Sequence, residues 1–220
     1  MMRLYLRFLA IFPAVVTLAC SVATATIAIP DPVIDAPLQS AKGEQTAVVA
    51  GGCFWGIEAV FEHVKGVIDV KSGYAGGAAN TAHYEVVSSG RTGHAESVRI
   101  KYDPSQISYG KLLKVFFSVA HEPTQLNRQG PDTGTQYRSA IFCADDGQKR
   151  IAQAYIDQLN EAKVFGRPIV TEVAVTTSFY QAEAYHQDYA RNHPDDSYIM
   201  VNDLPKVANL RKQFPDLYKN

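Results

Sequence analysis

Thr46-Ala47-Val48-Val49-Ala50-Gly51-Gly52-Cys53-Phe54-Trp55-Gly56-Ile57-Glu58 is the stretch from which the rest of the chain can be laid out. Its first five residues predict a strand, two glycines break it, and beyond Cys53 the apolar residues Ile57, Val60, Phe61 and Val64 recur at helical spacing. Cys53 therefore falls at a strand-to-helix junction, in or just before the first helical turn. Unpaired backbone N–H groups and the helix dipole favour an anion there, so the thiol pKa is expected to fall and the thiolate to be populated. Gly51 and Gly52 let the chain turn sharply and leave the sulfur approachable. A glycine-flanked cysteine at a helix start is a poor core filler, which favours a reactive thiol over a small buried apolar residue. Phe54 and the chain's single tryptophan, Trp55, adjoin it.

Outward from this junction, Lys65-Gly66 ends the helix and Val67–Tyr74 reads as a strand leading into a loop, Ala75-Gly76-Gly77-Ala78-Ala79-Asn80. That loop lacks the Lys-Ser/Thr and strand-loop-helix setting of a phosphate cradle and reads as a flexible pocket wall. A polar loop, Tyr84–Ala95, precedes the strand Glu96–Tyr102, in which Val98, Ile100 and Tyr102 alternate with Ser97, Arg99 and Lys101. Glu96 shares the parity of the buried residues. A carboxyl at the edge of an apolar face is desolvated and keeps its proton near neutrality, as a general acid must.

Leu112, Leu113, Phe116, Phe117 and Ala120 form a core helix stripe, and residues 121–135 form a long polar loop of the kind that carries function. Strand Gln136–Cys143, a helix opened by Asp145 and Asp146, strand Pro168–Thr176 and an aromatic-rich helix over Ser178–Asn192 complete the order. The pattern predicts an α+β fold, a two-layer sandwich on a mixed or antiparallel sheet with a ferredoxin-like core and peripheral extensions.

The chain has 220 residues, 46% of them hydrophobic, and a net charge of -1, enough for one domain and without the basic excess that nucleic acid or an anionic membrane would attract. Arg3 and Arg7, the apolar run Phe8–Leu18 and Ala23-Thr24-Ala25 read as a cleaved export signal over 1–25, implying a periplasmic or cell-envelope setting. Thr17-Leu18-Ala19-Cys20 faintly matches a lipoprotein box, which makes a lipid anchor at Cys20 the second reading. Residues 26–45, with Pro30, Pro32 and Pro37, read as an extended linker, 46–205 as the catalytic domain and 206–220 as a C-terminal tail.

Several stretches together resemble the A-type methionine sulfoxide reductases. They are Gly52-Cys53-Phe54-Trp55-Gly56, Ser72-Gly73-Tyr74-Ala75-Gly76-Gly77, Tyr84-Glu85-Val86, Gly93-His94-Ala95-Glu96, Pro123–Gly130, Gly134–Ser139 and Ala182–Gln187. The resemblance implies that Cys53 attacks the sulfoxide sulfur, that Glu96 protonates the oxygen and that Tyr84 and Tyr137 hydrogen-bond it. It implies that Phe54 and Trp55 hold the substrate's methyl group and that Asp132 helps orient the site. It further implies specificity for the S epimer of protein-bound or free methionine sulfoxide, a monomer, no bound cofactor or metal, and an external thiol reductant such as a thioredoxin-like protein. His94 and His186 read as structural supports.

The chain departs from the family pattern where turnover is concerned. Many members carry resolving cysteines in a C-terminal tail, and Val207–Asn220 contains none. With Tyr137 at the site, Cys143 lies six residues along an extended strand, about 20 Å away at about 3.3 Å per residue, whereas a disulfide needs Cα atoms within about 7 Å. A one-cysteine cycle is expected, with Cys143 a structural residue. Glu122 and Pro131 are further departures in the polar loop. A cysteine hydrolase, needing no reductant, and a non-enzymatic peptide-binding cleft are the rival readings.

Overall fold

The computed structural model describes residues 29–176 and 178–220. The predicted export signal, with Cys20 and Ala23-Thr24-Ala25, lies outside the described residues.

The opening stretch folds as the sequence predicts, with strand β1 (Gln45–Gly51) turning into helix α1 (Phe54–Glu62). Then follow β2 (Val67–Ala75), a short helix α2 (Tyr84–Val87), β3 (Ala95–Tyr102) and α3 (Tyr109–Val115), which runs on as a wider π turn through Phe116–Ala120. Two-residue strands β4 (Arg128–Gln129) and β5 (Asp132–Thr133) pair as a small hairpin within the polar loop. Strand β6 (Ser139–Cys143), helix α4 (Asp146–Glu161), β7 (Glu172–Val175), β8 (Phe179–Gln181), α5 (Tyr189–Asn192) and α6 (Leu204–Gln213) complete the fold.

Six strands form one sheet in the order β7-β6-β1-β3-β2-β8, antiparallel except for the β6–β7 pair. The inner four, with α1 and α3, are a ferredoxin-like βαββαβ unit, as expected. Strand β7 extends one edge and β8 the other. Helix α1 lays Phe54, Ile57, Val60 and Phe61 onto the sheet, where Val49, Val98, Ile100 and Tyr102 meet them and Leu112, Phe116 and Tyr155 close the layer. The opposite face carries a thinner cluster of Ala50, Ala75, Ala95, Ala140 and Phe142.

Two expectations about the C-terminal elements fail. Residues 178–192 are not one helix: Phe179–Gln181 pairs with β2 as an edge strand, Ala184–His186 makes a tight turn and only Tyr189–Asn192 is α-helical. The 206–220 stretch is not a free tail, since α6 buries Leu210 against the core and Tyr218 bridges to Val64. The apolar positions in that stretch are too sparse to advertise a packed helix.

The proline-bearing approach is extended, as its composition demands, but fastened. Tyr155 donates to the Pro30 carbonyl at 2.7 Å, Gln158 bonds both Asp31 O and the Val33 N–H, and Asp31 pairs with Lys111 and Lys114. Asp35 accepts from the Ser108 hydroxyl and from the Gly110 N–H at 2.7 Å, satisfying a backbone donor in the first turn of α3. Replacing Asp35 by Ala should therefore cost about 1 kcal/mol and lower Tm by roughly 2–4 °C, read by thermal denaturation.

Candidate active site

The end of β1 and the start of β3 lie side by side. Their antiparallel register pairs Val49 with Val98, and its continuation sets Gly51 opposite Glu96. Strand β2 pairs Tyr74 with Glu96, and β6 pairs Ser139 with Gly51, so one row of the sheet runs Ser139, Gly51, Glu96, Tyr74. Where β1 leaves this row, Gly52 adopts φ 103°, and a side chain there would press on Gln129, its Cβ 2.5 Å from Cγ. Gln129 in turn clasps the backbone N–H and C=O of Glu122, closing the polar loop over the turn.

Cys53 occupies the position just before α1, with extended backbone dihedrals, and keeps 8% of its surface exposed, so the sulfur stands at the edge of the core. The helix start does not depress its pKa as the sequence led us to expect. Burial pushes the thiol well above its usual value, and the nearby carboxyls of Glu96 and Asp203 add to the rise. The Trp55 N–H and the Lys206 ammonium pull the other way and are outweighed. The resting group is a neutral thiol, because loss of water costs a buried anion more than one turn of helix returns.

Glu96 behaves as its parity predicts. Only 2% exposed, it is pushed up to about 8 by burial, with the Phe54 N–H opposing and Asp132 reinforcing the rise. The Phe54 N–H donates to Glu96 Oε2 at 3.2 Å, so the carboxyl is tied to the backbone of the residue following the thiol. Ser97 is buried as well, so at this end of β3 both sheet faces are covered and the alternation emerges only at Arg99 and Lys101.

The other predicted residues gather around this pair. Tyr84 starts α2, where its N–H donates to Glu183 Oε1 at 3.0 Å, while Tyr74 donates to Glu183 Oε2 at 2.8 Å. Burial pushes the pKa values of the Tyr84 and Tyr137 phenols up, with Glu96 the next cause for both and Cys53 also contributing, which sets all four in one electrostatic neighbourhood. Tyr137 lies in the tight turn Thr135–Tyr137 that precedes β6, not on the strand itself. Asp132 of β5 accepts a short hydrogen bond from the Tyr198 hydroxyl. Phe54 packs against His186 at 5.0 Å between ring centroids, and Trp55 stacks on Tyr189 at 3.9 Å with planes 11° apart.

Three histidines are supports. His94 bonds the Gly77 N–H and Ala78 O, bracing the glycine loop, and His186 lies between the rings of Phe54 and Tyr84. His121, wholly desolvated and held to about 3, stays neutral between the Phe116 carbonyl and Ser139 Oγ, and its ring packs over Gly51.

Sequence reasoning missed Tyr189, Tyr198, Glu183 and the buried pair Asp203–Lys206. All belong to the C-terminal third, where short turns replace periodic elements and leave no hydrophobic repeat to read.

Cys143 is buried, free and remote. In β6 it lies one residue beyond Phe142, which pairs with Val48, while the Cys53 end of β1 pairs with Ser139, four residues back and about 13 Å along the strand. The site thus holds one thiol at the edge of the core beside a protonated carboxyl and two phenols. Such a set can bind and protonate an oxygen while the sulfur attacks the atom that bears it.

A model of the family described as peptide methionine sulfoxide reductase matches residues 45–218. The chain is 61% identical over 180 residues to "Peptide methionine sulfoxide reductase MsrA 2" of Mesorhizobium japonicum, covering 82% of this chain and 92% of that protein. It is 56% identical over 193 residues to a protein of the same description from Synechocystis, covering 87% and 90%. Among solved structures, methionine sulfoxide reductase A of Corynebacterium diphtheriae superimposes with a TM-score of 0.59 at 36% identity, covering 70% of this chain and 77% of that one. Reduced Mxr1 of Saccharomyces cerevisiae gives 0.62 at 32%, covering 73% and 90%.

The strand geometry forbids direct bridging of the two cysteines. After treatment with hydrogen peroxide and a sulfenic-acid trap such as dimedone, intact-protein and peptide masses should show one adduct, at Cys53, and no Cys53–Cys143 disulfide. Recovery of that disulfide from the native protein would contradict the register.

Proposed function

The chain belongs to the peptide methionine sulfoxide reductase family, and on that premise we propose how its own residues remove the oxygen. The observation that carries the proposal is the hydrogen bond from the Phe54 N–H to Glu96, which holds a protonated carboxyl next to the only thiol at the site. The sulfoxide oxygen enters between Glu96, Tyr84 and Tyr137, and the methyl group lies against Phe54 and Trp55. Separate pockets for oxygen and methyl select one configuration at sulfur, the S epimer in the reading the family resemblance supports. Asp132 acts through Tyr198, fixing the aromatic wall rather than touching the reacting atoms.

A sulfoxide sulfur accepts electrons only as its oxygen becomes a hydroxyl, which requires a proton donor; an ionised carboxylate cannot serve. Glu96 gives its proton to the oxygen and Cys53 donates a sulfur lone pair to the substrate sulfur. The thiol proton replaces the one that Glu96 surrendered. The sum is Cys53–SH plus sulfoxide giving Cys53–SOH plus thioether, a two-electron oxidation of the cysteine matched by a two-electron reduction of the substrate. An external thiol then attacks the sulfenic acid sulfur, expelling water and leaving a mixed disulfide, and a second thiol releases Cys53. A thioredoxin-like protein is the physiological donor in this reading. The leader-like N-terminus supports exported proteins of the periplasm or envelope as clients.

The test mixes the protein with a methionine sulfoxide peptide and dithiothreitol and weighs the peptide for loss of one oxygen. Cys53→Ser should abolish the loss. Glu96→Gln keeps the shape but has no proton to give, and kcat/KM should fall about 10²–10⁴-fold. Cys143→Ser should retain turnover with dithiothreitol.

The pH dependence has a definite sign. The active form of Glu96 is the protonated one, present below its pKa of about 8, so kcat/KM should decline as pH rises through about 8. Glu96→Gln should lack that limb. A parent profile that kept rising past pH 9 would remove Glu96 from the acid role.

A further inference from the structure

The ring stack of the site does not stop at Phe54 and Tyr84. The buried ring of His186 lies 5.0 Å from Phe54 and 4.6 Å from Tyr84 between centroids, and it also packs on Tyr185 at 4.2 Å with planes 45° apart. One buried ring thus separates Tyr185 from the residues proposed to receive the methyl group and the oxygen. Tyr185, however, is 57% exposed. An exposed tyrosine means little by itself, since much of any protein surface is apolar. This one carries the aromatic wall of a pocket out to solvent.

Two carboxyls flank that outer ring. Glu183, two residues before Tyr185, accepts the Tyr84 N–H at 3.0 Å and the Tyr74 hydroxyl at 2.8 Å, which clasps the turn Ala184–His186 to the start of α2. Burial works to raise Glu183, but the N–H groups of Tyr84 and of Glu183 itself, with the Tyr74 hydroxyl, outweigh it and hold the carboxyl below its usual value. Glu85 follows Tyr84 in the first turn of α2 and is exposed. Among the described residues neither carboxyl forms an ion pair. Both act on the same rings: after burial they are the next causes of the raised Tyr185 phenol, and they oppose the fall that burial imposes on His186. This edge of the pocket offers an aromatic face together with uncompensated negative charge.

We propose that Tyr185 and Glu85 form a subsite for a positively charged side chain next to the oxidised methionine of a polypeptide, so that methionine sulfoxide adjoining arginine or lysine is reduced in preference. The inference rests on the oxygen-removal reading above and names the sequence context of its substrate. A ring face beside a carboxylate suits a guanidinium or an ammonium, because the ring quadrupole and the charge attract the same cation. Neighbouring Cα atoms are only about 3.8 Å apart. With the sulfoxide held between Glu96, Tyr84 and Tyr137, the adjoining side chain has one ring's width to cross, which the long stem of an arginine or lysine spans.

The experiment measures kcat/KM for short end-blocked peptides with methionine sulfoxide at the centre and arginine, alanine, phenylalanine or glutamate at both flanking positions. The full chain is compared with Tyr185→Phe, Tyr185→Ala and Glu85→Gln. The readout is each peptide's ratio to the alanine peptide, which a general loss of folding or activity leaves unchanged. The parent should favour the arginine peptide about two- to fivefold, the scale of an exposed cation–ring contact, and should disfavour the glutamate peptide. Tyr185→Phe keeps the ring and should keep the arginine ratio, Tyr185→Ala should bring it toward one, and Glu85→Gln should lower it. Salt at about 1 M, where the screening length is about 3 Å, should shrink the parent's ratio. A parent ratio of one, a ratio that survives Tyr185→Ala, or a phenylalanine peptide reduced faster than the arginine peptide overturns the subsite alone. A parent that reduces no peptide at all overturns the oxygen-removal reading with it.

Discussion

The hydrogen bond between the Phe54 N–H and Glu96 is where the fold and the chemistry constrain each other. Removing a carboxyl from water favours its protonated form, while a donated N–H favours the charged one. With burial dominant and a single backbone donor opposing it, Glu96 settles at about 8 and keeps its proton at neutral pH. A second donor would make the group too acidic to serve, and a fully apolar surrounding would leave the carboxylate that forms after proton transfer without support. The balance depends on a register: only because β1 and β3 pair as they do does the strand end before Cys53 arrive opposite Glu96.

The same burial acts on Cys53 with the opposite consequence. For the acid, desolvation keeps the useful form; for the nucleophile, it keeps the idle one. A neutral thiol reacts slowly with stray oxidants and electrophiles, so in the proposed cycle the sulfur is protected until a sulfoxide accepts the proton of Glu96. Proton transfer to the substrate and loss of the thiol proton are thereby coupled, and the pair of neutral groups stores no net charge in the core between turnovers.

The core of this arrangement was legible in the sequence because it lies on regular elements. The strand-glycine-helix stretch fixed the place of Cys53, and a two-residue alternation assigned Glu96 to the buried face. What periodicity could not reveal was anything set by distant segments. The expected fall in the Cys53 pKa came from the local helix start alone, whereas burial in the folded chain, with Glu96 of β3 and Asp203 adding to it, pushes the thiol up. Residues 178–192 mislead for a related reason. Their aromatics suggest a helix stripe, yet β8 finds an open edge of β2 to pair with, and Tyr189 is turned toward Trp55 by a left-handed residue, Asp188, with φ 56°. Tyr137 falls in a tight turn because Gly134, at φ 140°, redirects the chain just before β6.

That left-handed residue shows how far the site reaches into the fold. Glu58, on the buried side of α1, accepts the Asp188 N–H at 3.0 Å and the Ser72 N–H at 3.3 Å, and thus ties the helix that carries Cys53 to β2 and to the segment bearing Tyr189. Burial, with Glu62 and Asp188 adding to it, raises Glu58 to about 8. A carboxyl whose native pKa is raised binds a proton that the unfolded chain has already lost above the ordinary carboxylate range, so native stability declines as pH rises from that range toward about 8. Glu58 and Glu96 both impose this slope. The protein accepts less stability at neutral pH at the two carboxyls that hold its acid and its aromatic wall in place, and the apolar layer beneath α1 is what makes that loss tolerable.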